Sequence, residues 1–233
     1  MISDKDKCKR GFCPGARANL GRGSYCEDPT LAASARKAKK TPGRPRSGEP
    51  GIDVRRIVTA AWALVDRSGM AGLSTRTLAA ALHVKSPALY WHVRNKEELL
   101  SLMVEHLLLD SLDGIAPDLH WSDWLKHVAR RQRKLLLSHR DSGFIASLAP
   151  PSVRLREDVF PRIMAPLLES RLPGELASAA AGGLAALILG WVIYEQRAET
   201  RQFMEAYHRP ERAFELLLDV LVSGLAATAR EAK

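Results

Sequence analysis

From Ile52 to the C-terminus, apolar residues recur at three- and four-residue intervals, and nowhere do they alternate over a useful length. A strand buries every second residue and a helix every third or fourth, so this pattern restricts the chain to helices packed on helices. Val54, Ile57, Val58, Ala61, Leu64 and Val65 mark a first helix that stops near Gly69. Ser74 suits the N-cap of a short second helix, Thr75 to Leu82, which turns Leu78, Ala79 and Leu82 inward. His83-Val84-Lys85 forms a three-residue turn. Ser86 as N-cap with Pro87 at the first helical position then opens a third helix reaching His92. Asn95 and Glu98 give a capping-box-like start to a fourth, whose Leu100, Met103, Val104 and Leu107 share one stripe.

Beyond the break at Pro117, Trp121, Trp124, Leu125, Val128, Gln132, Leu135 and Leu136 fall on one helical face. Residues 154–170 are helical in pattern but interrupted by Pro161 and Pro166. A long helix is predicted over Gly174–Glu199, and a last one opens at Pro210-Glu211 with Phe214, Leu217, Leu218, Leu221 and Leu225. The predicted class is all-α: a three-helix bundle at 52–98, then a helical body at 99–233. Leu176 to Tyr194 lacks charge, but its Ala- and Gly-rich composition fits a buried or interface helix better than a membrane span.

Charge divides the chain the same way. The net charge of +9 is concentrated at the front: residues 1–50 hold 12 Lys/Arg against 5 Asp/Glu, a balance of +7. Residues 51–98 hold 7 against 4, a balance of +3, while residues 99–233 hold 16 against 17, a balance of −1. A basic front on a neutral body points to a polyanionic partner for the front and another task for the rest. Residues 1–51 show no sustained apolar period and read as a disordered basic tail without the apolar core of a secretory signal. Cys8, Cys13 and Cys26 lie there, at spacings and in a number that suit neither a zinc site nor a disulfide framework. The expectation is reduced thiols on a flexible tail in a cytoplasmic protein, with a local metal site the lesser alternative. No metal ligand set and no cofactor are assigned.

Two short helices joined by a three-residue turn read as a helix-turn-helix. In that arrangement the first helix crosses the phosphate backbone and the second enters the major groove with its N-terminal end. The exposed candidates are Thr75 and Arg76, then Ser86, Pro87, Ala88, Tyr90, Trp91 and His92, with Lys96 placed for a phosphate. Leu89 and Val93 must face inward to hold the third helix against Leu78 and Leu82. For Trp91 packing on the core is the alternative, and for His92 a role at the helix C-terminus.

The run from Gly72 to Leu100, with Tyr90-Trp91-His92-Val93-Arg94-Asn95-Lys96 its most specific part, resembles the DNA-binding domain of the TetR family. Leu136-Leu137-Ser138-His139-Arg140-Asp141, Leu189-Gly190 and Glu195-Gln196 resemble the C-terminal domain class of tetracycline repressors. The resemblance implies base contacts from Arg76, Ser86, Pro87 and Tyr90–His92, and phosphate contacts from Thr75, Tyr90 and Lys96. Arg76 is the best candidate for a bidentate guanine contact. It also implies double-stranded DNA bearing a palindromic operator as partner, a small-molecule inducer, and a homodimer built from segments near Gly174–Glu199 and Pro210–Arg230.

Departures from the family pattern carry information. His83 stands where the family turn usually has Gly, and His tolerates left-handed backbone better than most residues. Ser86 and Ala88 replace the Gln and Thr of tetracycline repressors, so base preference should differ. Leu112 and Ala146 occupy the places of the histidines that bind tetracycline and its magnesium, and Tyr194 that of a metal-linked glutamate. A magnesium–tetracycline inducer is therefore not expected. Within the body, Trp124, His127, Arg131, His139, Phe144, Trp191 and Tyr194 are candidate pocket residues, suited to a hydrophobic inducer.

Within the tail, Thr41-Pro42-Gly43-Arg44-Pro45-Arg46 resembles the Gly-Arg-Pro core of AT-hook peptides. Arg44 and Arg46 could lie in a minor groove, or the segment could be a solvated basic linker. An enzyme is not expected: no G-x-S-x-G, P-loop, H-E-x-x-H or C-x-x-C motif occurs. A competing reading is an architectural DNA-binding protein without sequence choice. It predicts strong salt dependence and no preferred site. Within the family, activation is an alternative to repression.

Overall fold

The computed structural model describes residues 52–116 and 118–231. The tail candidates Arg44 and Arg46, the three cysteines and Pro117 lie outside the described residues. Ten α-helices follow one another, and no strand occurs among the described residues: α1 (Val54–Ser68), α2 (Thr75–Ala81), α3 (Ser86–Leu89), α4 (Lys96–Leu112), α5 (Trp121–Leu137), α6 (Ser142–Leu148), α7 (Phe160–Glu169), α8 (Gly174–Gln196), α9 (Ala198–Glu205) and α10 (Pro210–Glu231). A 3₁₀ turn at Met70–Gly72 follows α1, and a π-helical turn at Leu155–Val159 leads into α7. The all-α expectation holds.

Local chemistry explains the starts. Asp53 caps α1 by accepting from Arg56 N at 2.8 Å. Ser74 and Thr77 form a reciprocal capping box on α2. At α4 the box is half as expected: Asn95 accepts from Glu98 N, but the Glu98 carboxylate turns back to Arg94 N at 2.7 Å, one residue earlier. Several boundaries differ from the sequence reading, among them the end of α2, where Leu82 is the C-cap. Lys85 rather than Ser86 is the N-cap of α3, and that helix ends at Leu89 instead of His92. Both His92 N and Val93 N close back on the Leu89 carbonyl, because Val93 must reach the core before Asn95 starts α4. Likewise the long helix stops at Gln196, where Arg197 is extended, and α9 begins at Ala198. Proline acts differently at its two positions: Pro161 stands in the first turn of α7, whereas Pro166 is accommodated inside it.

One continuous core runs from Ile57 to Val222. α1 packs on α2 and α4; α4 continues onto α5 and α6; α8 is seated against α5, α6, α7 and α10. α8 is long and apolar enough to cross a bilayer, yet its Ala177, Ala180, Leu184, Ile188 and Val192 are buried in this core. α4 thus joins the front helices to the body with a single rigid rod. Burying side chains such as Leu89, Leu99 and Met103 contributes about 1.5–3 kcal/mol each against exposure.

Candidate nucleic-acid interface

The turn between α2 and α3 depends on His83, whose φ of 58° is left-handed. The Val84 N–H closes back on Ala79 O at 3.0 Å, and the inward face carries Leu78, Leu82, Leu89 and Val93, all buried. That anchoring leaves one outward surface. Arg76, Ser86 and Pro87 are exposed, Tyr90 is 50% and Trp91 74% exposed, and Thr75, Ala88 and His92 are partly exposed. The core-packing alternative for Trp91 is thereby excluded. Thr77 has no free hydroxyl, since its Oγ1 serves Ser74 and the Gly72 carbonyl.

Lys96 stands apart: it is half-buried, and its Nζ donates to Met70 O at 3.3 Å, tying the start of α4 to the 3₁₀ turn. Lys85, which the sequence places in the turn, is exposed as the N-cap of α3. Its position one residue before Ser86 was the available signal. The surface therefore combines cations, hydroxyls and an unburied aromatic pair at one end of a short helix, a set suited to phosphates and base edges.

The two body motifs singled out in the sequence meet in space. Gln196, at the end of α8, donates through Nε2 to Leu136 O, His139 O (2.7 Å) and Ser142 Oγ, and its Oε1 accepts from Gly143 N. A Cβ at Gly143 would lie 3.0 Å from Ile193 Cγ1 and 3.1 Å from Val192 Cγ1, so glycine lets α6 approach α8 closely without displacing those side chains. The turn fixed in this way reaches the front helices. Asp66 of α1 accepts from Arg140 N at 2.9 Å and pairs with His139 Nδ1 at 3.0 Å, while Asp141 Oδ2 accepts from Met70 N at 2.8 Å. His139 also stacks on Trp62, with ring centroids 4.4 Å apart. A continuous set of hydrogen bonds therefore runs from α8 through the α5–α6 turn to α1.

The seven pocket candidates of the body do not converge. Trp124 is core; Trp191 donates to Glu195 and lies beside Phe214 and His208; Arg131 reaches Asp110 O. His127, Phe144 and Tyr194 are exposed. Of the seven, His139 lines a groove of about 370 Å³ between α1, α4 and α5 that also contains Arg55, Trp62, His106, Leu107 and Asp110. No group of His, Cys, Asp and Glu with metal-binding geometry occurs among the described residues.

Burial, aided by the Arg154 and Arg55 charges, holds the His106 imidazole below the usual histidine range, against the opposing pull of Asp110 and Glu105. The unfolded chain therefore takes up this proton at higher pH than the folded one, and stability falls as pH drops below 6.5. His106→Asn should flatten the fall in thermal midpoint between about pH 7.5 and pH 5, measured by scanning calorimetry.

Stretches of α8 and α10 remain uncovered. Gly182, Gly183 and Gly190 of α8 and Gly224 of α10 have nothing within 4 Å of a built Cβ, and Leu216, Leu217 and Val220 of α10 are exposed. Small residues beside exposed aliphatic ones permit close approach of another helix pair.

Comparison with known proteins agrees with this geometry. Residues 57–103 match the family described as bacterial regulatory proteins, tetR family. The class A tetracycline repressor from transposon 1721 of Escherichia coli is 31% identical over 192 residues, 73% of this chain and 88% of that protein. Other curated tetracycline repressors are spanned over half their length or less. Among solved structures, ActR of Streptomyces coelicolor in complex with actinorhodin superposes with a TM-score of 0.66 at 26% identity, covering 78% of this chain and 99% of that one. BioQ, solved from Mycobacterium smegmatis with a TM-score of 0.62, is also solved with its natural double-stranded DNA operator (30% identity, TM-score 0.58, 76% of this chain and 99% of that one). With a helix-turn-helix of this form and a relative aligned over most of both lengths, the chain belongs to the TetR family of bacterial regulatory proteins.

Proposed function

We propose that the protein is a ligand-responsive, sequence-specific transcriptional repressor that binds a palindromic operator as a homodimer in the cytoplasm, on the nucleoid. The observation that carries this reading is the outward surface of α2 and α3, with Arg76, Ser86, Tyr90 and Trp91 unburied above a packed apolar base. Family membership, a relative solved on operator DNA and another solved with a small molecule support it. The partners are double-stranded DNA and a small-molecule inducer; no catalytic role is assigned. Arg44 and Arg46 would add minor-groove affinity without choosing the site.

In this reading residues 52–98 read DNA and residues 99–233 bind ligand and dimerise. Two recognition helices related by the dimer axis must match half-sites about 34–36 Å apart or in a related spacing. The hold of Gln196 on the α5–α6 turn, the Asp141–Met70 hydrogen bond from that turn and the rod of α4 connect the end of α8 to the head. A ligand releases DNA if it binds the mismatched spacing more tightly than the matched one.

Arg76→Ala separates a regulator from an architectural binder. In mobility-shift titrations it should cost about 1–3 kcal/mol on the preferred duplex and relax the preference at one base-pair position per half-site. Thermal stability should be unchanged, since Arg76 is exposed. Equal weakening on every duplex would favour the architectural reading.

A further inference from the structure

Glu105 is 2% exposed, yet its carboxylate is only half satisfied. Ser152 Oγ donates to Oε1, while Oε2 is buried with no hydrogen-bond partner among the described residues. No Lys, Arg or His of those residues forms an ion pair with it. A carboxylate buried in this state has given up its hydration without replacing it, so a complementary group has a large gain to make there. Glu105 lines a cleft of about 110 Å³ between α4, α6 and the 150–155 segment. Val104, Ala146, Ala149 and Leu155 give it apolar walls, and exposed Pro150 and Pro151 stand at its rim.

We propose that this cleft binds the cationic end of an amphipathic effector, a protonated amine on an apolar skeleton, with Glu105 Oε2 as its acceptor. An ammonium matches an ionised carboxylate better than a neutral donor, because charge-assisted hydrogen bonds are roughly twice as strong. The volume is below the roughly 150 Å³ of a cavity that holds benzene, so the cleft takes the amine and its first carbons while the remainder lies across the rim. The position is suited to signalling. Glu105 sits on α4, and Ser152, whose hydroxyl also accepts from Leu155 N, ties the π-helical turn to that same helix. Ser101, one turn earlier, holds Pro150 O at 2.7 Å. An ammonium on Glu105 competes for the carboxylate that keeps this segment on α4.

The proposal rests on the reading of the chain as an effector-responsive regulator, but it is tested without DNA, so the two can fail separately. Benzylammonium and its neutral analogue benzyl alcohol are titrated into the full chain, followed by backbone amide NMR shifts. Benzylammonium should shift Val104, Ala146 and Ala149 and bind the wild type about tenfold more tightly than the alcohol does. Glu105→Gln should remove that preference, and Ala149→Leu, which fills the cleft and keeps the carboxylate, should weaken both probes. Should Glu105→Gln fail to fold, the amine-to-alcohol ratio on the wild type and the Ala149→Leu variant still decide. Equal affinity for the two probes, shifts centred elsewhere, or undiminished binding to Ala149→Leu would each overturn the proposal.

Discussion

Arg133→Ala should lower the stability of the protein by about 3–5 kcal/mol, the usual cost of breaking a buried ion pair from one side. Arg133 lies on α5 with its side chain 15% exposed, and Glu195 on α8 with 7%; Nη2 and Oε1 are 2.5 Å apart. The guanidinium also lies 5.0 Å from the centroid of the Phe214 ring, so one side chain links α5, α8 and α10. Truncation would leave Glu195 with only the Trp191 indole, 3.1 Å away, as donor. For a unit of this size the loss corresponds to a fall in thermal midpoint of roughly 10 °C, read by calorimetry. Replacing both partners together, Arg133→Met with Glu195→Leu, should recover most of it, since a packed apolar pair removes the desolvation cost as well as the attraction.

The second large effect concerns assembly. Leu217→Glu with Val220→Glu places two carboxylates on the uncovered face of α10 without touching buried Phe214, Leu218 or Val222. The chain should remain folded by circular dichroism but sediment as a monomer. Operator affinity should then drop by about 10²–10⁴-fold, because the second half-site contact ceases to be intramolecular. A dimer that persists would show that this face is not the interface.

Much of this was legible in the sequence because helical period and caps are local. Ser74, Asn95, Gly69 and Leu89 act as their spacing implied, and His83 adopts the left-handed backbone that the turn demands. The end of α3 was not legible: Tyr90–His92 are compatible with helix, and only the burial of Val93 forces the chain out of it. Nor was the break at Arg197, where no Gly or Pro stands; Gln196 is held there by the α5–α6 turn sixty residues earlier in the chain.

The ligand side was the least legible part. Aromatic and polar residues on apolar helices are the pocket candidates of the sequence, but Trp124 is buried in the core and Tyr194 exposed, because helix phase is set by neighbours distant in sequence. Glu105, an acidic residue among Leu102, Met103, Val104 and Leu107, was the stronger signal, since a charge in a buried stripe demands a partner. Glu195 and Gln196 were noticed as a motif, whereas their partners Arg133 and the α5–α6 turn required the fold.

The central claim is that the α2–α3 surface reads a defined sequence. Nuclease footprinting of the purified full chain on the DNA flanking its own coding region, at moderate salt, tests it most directly. The expected result is a discrete protected stretch with two-fold symmetry that vanishes for Trp91→Ala combined with Arg76→Ala while both proteins keep the same thermal midpoint. Diffuse protection across the whole fragment, unchanged by those two substitutions, would contradict it.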